Sequence, residues 1–241
     1  ACVTSLSATR QNQTDSLLTQ LDEAISNRDL YLKQKKAKLS ELHNRLQTEN
    51  DDRVRFDILG ELFGEYHSFN ADSAYIMAQR QLLLAQKIGD RNLVINALLN
   101  KANILNLVGM YHEAMALTDS VSYDELPDYL RAYYFHTKRT LYGDLANFAT
   151  FRPQIEYYEK LTDQYRDSLL TVNDPGSFFY VLIKADQLNV HNRPKEAIAL
   201  LEGFIKNNDL SEHDLAICAY TLSNSYGYVH DTENQKKQLL I

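Results

Sequence analysis

Large apolar side chains recur along this chain at spacings of three and four, with charged and amide residues between them, which is the signature of one buried stripe on an α-helix. Leu39, Leu42 and Leu46 make one such stripe, and Leu59, Leu62, Phe63 and Tyr66 make the next. Leu98, Ala102 and Leu105, then Val181, Ala185 and Leu188, then Ala219, Leu222, Ser223 and Tyr226 continue the pattern. Breaks fall between the stripes, at Lys87-Ile88-Gly89-Asp90, Gly109-Met110-Tyr111, Thr150-Phe151-Arg152-Pro153, Asn192-Arg193-Pro194 and His230-Asp231. All four prolines (Pro127, Pro153, Pro175, Pro194) stand at such boundaries, where a missing N–H costs a helix nothing. The pattern predicts an all-α chain of about ten to twelve antiparallel helices.

One stretch is repeated. KANILNLVGMYHEAMAL (residues 101–117) and KADQLNVHNRPKEAIAL (residues 184–200) align without a gap, with Lys, Ala, Leu, Asn, Glu, Ala, Ala and Leu shared. The offset is 83 residues, about twice a forty-residue unit, as in stacked helical arrays. Within each copy, Leu98-Ala102-Leu105 with Ala114, and Val181-Ala185-Leu188 with Ala197, resemble the tetratricopeptide repeat. Its small residues stand where two helices cross closely. The resemblance implies a tetratricopeptide-type helical-hairpin solenoid, a right-handed superhelix with an N-terminal helical cap. Residues 51–241 are read as about five units, the last truncated, with weaker units around Leu59 and Ala219 and a further pair of long helices over residues 128–170. Residues 14–50, rich in Leu, Lys, Glu, Asp and Gln, are read as a capping helix or helices with a break near Asn27 to Asp29. The Leu39-Leu42-Leu46 stripe is too short for a coiled coil. Residues 1–13 are read as disordered or as the remnant of a signal.

Charge narrows the class of partner. The chain carries a net charge of −7, and its densest basic run is KQKKAK at Lys33 to Lys38. That run reads as a solvated helix face, so no nucleic-acid surface is expected in this portion. No apolar stretch approaches the eighteen residues that cross a membrane. Of the two cysteines, Cys218 in AICAYTL reads as a small buried hydrophobe. Cys2, in Ala-Cys-Val-Thr-Ser-Leu-Ser-Ala, resembles the end of a secretory signal and is a candidate lipidation site. A periplasmic or otherwise extracytoplasmic, membrane-tethered location follows as an expectation, with membrane contact only through a lipidated Cys2 or through segments outside this chain.

The seven histidines are scattered, and HExxH, P-loop, GxGxxG and GxSxG patterns are all missing from the sequence. The chain is therefore read as not an enzyme, with no metal site and no cofactor. The carboxylate pair Glu61 and Glu65, one turn apart, reads as a solvated face. What remains is a row of asparagines: Asn92, Asn96, Asn100, Asn103 and Asn106, which their spacing puts along one side of a helix, away from Leu98, Ala102 and Leu105. In tetratricopeptide arrays the first helix of each pair lines the concave groove, and asparagines there hold the backbone of a bound peptide. The resemblance makes Asn96, Asn100, Asn103, Asn106, Arg139, Tyr142, Asp186 and Asn189 the candidate groove residues, alongside Asp57 and Glu61. A carboxamide both donates and accepts, which suits a protein, a peptide or a polar small ligand. Asp186 takes the place of Asn103 in the second copy, and the basic residues that grip a free C-terminus have no clear counterparts.

LDEAISNRDLYLKQKKAKLSEL, RTLYGDLANFA with TDQYRDSLL, and AYTLSNSYG together resemble the sensor portion of Bacteroidetes tetratricopeptide-repeat transcriptional regulators. That resemblance implies a secreted repeat domain whose occupancy is passed through a membrane helix to a DNA-binding segment outside this chain. The competing expectation is a structural or assembly adaptor, a lipoprotein through Cys2, without a signalling role.

Overall fold

The structure, a computed structural model, describes Ser16, Leu18, Thr19, residues 21–23 and residues 25–239. The expectations for residues 1–13, including Cys2, lie outside the described residues. Every regular element among the described residues is helical. A cap helix α1 (Arg28–Thr48) precedes five pairs: α2 (Asp52–His67) with α3 (Ala71–Ile88), α4 (Arg91–Leu107) with α5 (Tyr111–Asp119), α6 (Asp128–Phe148) with α7 (Arg152–Val172), α8 (Phe178–Val190) with α9 (Pro194–Asn207), and α10 (Glu212–Tyr228) with α11 (Thr232–Gln238). The chain falls into compact units, and residues 34–173 and 174–239 are described separately below.

Local chemistry sets the ends of these helices. Asp51, Asn70, Asp90, Ser211 and Asp231 stand at N-caps, and their side-chain oxygens accept from backbone N–H groups that the first turn leaves unpaired. Pro153 and Pro194 sit in the first turns of α7 and α9. Three of the turns within pairs share one geometry, in which a left-handed residue lets the next N–H reach back to a carbonyl five residues earlier: Gly109 (φ 82), Asn192 (φ 59) and His230 (φ 59). The bonds are Met110 N to Leu105 O (2.8 Å), Arg193 N to Leu188 O (2.7 Å) and Asp231 N to Tyr226 O (3.0 Å). This closes the helix end in the Schellman manner.

In residues 34–173, α1 buries Leu39, Leu42 and Leu46 against Leu59, Leu62 and Phe63 of α2 and Ala74, Met77 and Ala78 of α3. Leu42 and Leu62 are wholly enclosed, each contributing about 1.5–3 kcal/mol of transfer free energy. The leucine stripe is thus the seam of a cap. Lys35 donates to Glu65 (2.5 Å) and Arg45 to Glu61 (3.3 Å), so the two carboxylates read as solvated are instead paired with cations of α1. At the next crossing Ala102, Leu105 and Ala114 meet Leu141 of α6, with Ala102 and Ala114 fully buried. The α6–α7 pair matches the repeat pattern poorly because rings fill its interface. Tyr142 stacks on Tyr165 (centroids 5.7 Å apart, planes 7° apart) and faces Tyr158 at 6.1 Å. Buried Lys138 donates to Asp119 and lies 5.8 Å and 5.7 Å from the ring centres of Tyr134 and Tyr142.

In residues 174–239, Val181, Ala185 and Leu188 of α8 pack on Ala197 and Leu201 of α9 and on Leu222 and Tyr226 of α10. Ala185 and Ala197 are fully buried. Cys218 is buried and free, and burial, with a smaller effect from Asp214, pushes its thiol up to about 11.

Candidate functional site

The asparagine row divides its hydrogen bonds between the helices on either side of it. Asn100 is buried, donating to Gln81 Oε1 of α3 at 2.7 Å and accepting from the Tyr133 hydroxyl of α6 at 2.7 Å. Asn96 accepts a longer bond from Asn100, at 3.4 Å. Asn103 accepts from His67 Nε2 of α2 at 2.6 Å, and buried Asn106 donates to Asp144 Oδ2 of α6 at 2.7 Å. The candidate groove residues Asn100 and Asn106 are thus buried, with their amides bonded to neighbouring helices. Each helix of an array packs on both neighbours, and a 3-4 row of carboxamides includes positions turned toward that packing.

Tyr142 is likewise buried, in the aromatic stack of α6 and α7, and Asn189 donates to Ser225 Oγ of α10 at 2.9 Å. Asn106 and Asn189 are the one asparagine shared by the two copies of the repeated segment. Both donate across to the following first helix, and both leave a buried Oδ1 without a hydrogen bond among the described residues. Arg139 is half-buried on α6, and its charge and that of His67 act on His136. Loss of solvent, followed by those two charges, holds the His136 imidazole below its ordinary value. Asp57 is exposed, and Glu61 is taken by Arg45.

Two of the candidate residues do share a cleft. Asp186 and Asn189 of α8, Thr221, Asn224, Gly227 and Tyr228 of α10, His230 of the turn and Gln235 of α11 enclose about 590 Å³, a volume within the range of small-ligand sites. The wall is built from one carboxylate, three carboxamides, a hydroxyl and an exposed tyrosine ring. It offers hydrogen bonds of both senses beside one apolar plate. Gly227 keeps it open on one side, since a Cβ there would come within 2.9 Å of Gln235 Nε2. Thr221, Asn224 and Tyr228 went unrecognised in the sequence, although their spacing of three and four is legible as the strip beside the buried Leu222, Ser225 and Tyr226.

Among the described residues no group of three or more His, Cys, Asp or Glu side chains is arranged to hold a metal ion, and no helix is long and apolar enough to cross a membrane. A comparison with curated proteins gives no match. The family described as the SusR N-terminal TPR domain matches residues 25–241, a span that holds the cap helix, all five helix pairs and the cleft. With the repeated alanine crossings and turns described above, this match shows that the chain belongs to the SusR N-terminal TPR domain family, a regulator-type tetratricopeptide family of the Bacteroidetes.

Proposed function

We propose that this domain is the recognition module of an extracytoplasmic, membrane-tethered sensor, and that the cleft of α8, α10 and α11 receives a polar ligand or a peptide segment. The observation that carries this reading is the convergence of Asp186, Asn224, Tyr228 and Gln235 on one open cleft, in a chain whose family is named for the N-terminal domain of a regulator. A carboxylate and carboxamides fix a ligand's donors and acceptors, and a ring face supplies contact area. Binding that orders the side chains around the cleft would favour one arrangement of α10 and α11. That bias is the signal passed to a regulatory segment elsewhere in the protein.

The test is a thermal-shift screen of fractionated extracytoplasmic extract against the wild type and a Asn224→Ala/Tyr228→Ala variant. Both side chains are exposed, and Tyr228 is 59% accessible, so the variant keeps its fold. A fraction that raises the melting temperature of the wild type alone supports the reading. A fraction that raises both equally, or none that raises either, removes the cleft from the account and leaves the adaptor role as the better description.

A further inference from the structure

A second cleft, of about 330 Å³, lies in residues 34–173 between the end of α1, the α1–α2 turn and α3, lined by His43, Leu46, Gln47, Glu49, Asn50, Arg55 and Arg80. Its charge is unusual for this chain. Several cations of residues 34–173 are engaged: Lys35, Arg45, Arg53, Lys87, Arg91 and Lys138 each face a carboxylate. Among the described residues Arg55 has one carboxylate near it, Asp52 at 3.7 Å, and Asp52 gives its other oxygen to Lys87 at 2.6 Å. Arg55 Nε is buried without a hydrogen bond among the described residues. Arg80 has no ion pair among the described residues. The one carboxylate in the wall, Glu49, is turned to the backbone, its Oε1 accepting from Asn50 N (2.7 Å) and Asp51 N (2.8 Å).

From this geometry we infer a binding site for a small oxyanionic ligand, its carboxylate or phosphate group held by Arg55 and Arg80 and its polar remainder by Gln47 and Asn50. A guanidinium fork matches either oxyanion with two parallel hydrogen bonds. His43 sits at the edge, its Nε2 sharing a hydrogen bond with the Tyr66 hydroxyl at 2.9 Å, which leaves Nδ1 for the ligand or solvent. The volume is at the lower end for small-molecule sites, so the occupant is a small acid. Because Glu49 opposes part of the positive charge, the site selects an anion with hydrogen-bonding groups besides its charged head.

The experiment is isothermal titration of the full chain with citrate, with inorganic phosphate and with neutral glycerol, in the wild type, Arg80→Gln and Arg45→Gln. Arg80 and Arg45 are both exposed, so both variants fold, and Arg45 controls for the loss of any surface charge. Saturable one-site binding of citrate or phosphate, none of glycerol, and a loss of roughly tenfold or more in Arg80→Gln alone are expected. Citrate binding without phosphate binding identifies a carboxylate site, and the reverse identifies a phosphate site. Equal affinity in Arg80→Gln and Arg45→Gln, or no saturable binding of either anion, overturns the inference.

Discussion

Replacing Asn100 by alanine tests whether the asparagine row holds repeats together or waits for a ligand. The side chain joins helices from three successive pairs: its Nδ2 donates to Gln81 Oε1 on α3, its Oδ1 accepts from Tyr133 on α6, and Gln81 in turn donates to the Phe56 carbonyl of α2 at 3.2 Å. Gln81 is only 2% accessible, so alanine leaves its Oε1 buried without a donor. Rotating the amide to recover would forfeit the bond to Phe56. One orphaned buried acceptor costs about 1–3 kcal/mol. Loss of the hydrogen bond to the Tyr133 hydroxyl adds about 0.5–1.5 kcal/mol, the net contribution of an ordinary hydrogen bond. The sum is about 1.5–4.5 kcal/mol, or on the order of 3–18 °C in melting temperature for a chain of this size. Asn103→Ala is the internal control. Its partner His67 is half-exposed and re-bonds to solvent, so the cost is about 1 kcal/mol or less. Urea unfolding followed by circular dichroism, run on both variants, decides between the roles. A Asn100→Ala variant within about 0.5 kcal/mol of Asn103→Ala would refute the network argument, because that difference is the ordinary effect of a surface substitution.

Enlarging Ala102 or Ala185 to leucine, both fully buried at crossings, is expected to overpack the helix pair and cost about 1–3 kcal/mol in the same unfolding assay. The Cys218 thiol, pushed up to about 11 by burial, is expected to resist iodoacetamide in the folded protein and to react on unfolding, read by mass spectrometry of its peptide. The Asp90 carboxyl is held below its ordinary value by the Arg53 side chain, with its backbone donors Asn92 and Leu93 adding to the effect. A carboxyl lowered on folding contributes stability above its unfolded value of about 3.9, and that contribution is lost as pH falls through the lower folded value. An NMR titration of Asp90 in the wild type and in Arg53→Gln is expected to show the midpoint rising in the variant. An unmoved midpoint would remove Arg53 as the cause.

Fold was readable in the sequence because helical packing repeats. The stripe spacing, the alanines at crossings and the prolines at boundaries are each local consequences of two helices meeting at short distance. The α6–α7 pair was legible only as two long helices. Its interface uses Tyr142, Tyr158 and Tyr165 and a buried Lys138, with Gly143 against Thr162 in place of the paired alanines that mark a crossing elsewhere. The cleft was half legible. Asp186 and Asn189 were flagged as residues of a first helix, but the other wall of the cleft comes from α10 and α11, and no periodicity within α8 encodes which polar side chains of another helix stand opposite.

That asparagines of this row bond within the array has a reason that the repeat itself supplies. Spacing along one helix fixes which side chains share a face, but it does not fix what lies against that face. The decisive sign was in the alignment of the two copies: Asn106 and Asn189 match, while Asn103 gives way to Asp186. A carboxamide retained at the same place in two repeats of one chain has a partner that the architecture also repeats. The structure supplies it as an acceptor on the next first helix, Asp144 in one case and Ser225 in the other. A ligand contact has no such obligation, since each repeat meets a different part of the ligand. Asp186, which differs from its counterpart and lines the cleft, has the character expected of a recognition residue. Within this array, repeated polar residues are therefore the place to look for cohesion between units, and the positions where the copies diverge are the place to look for specificity.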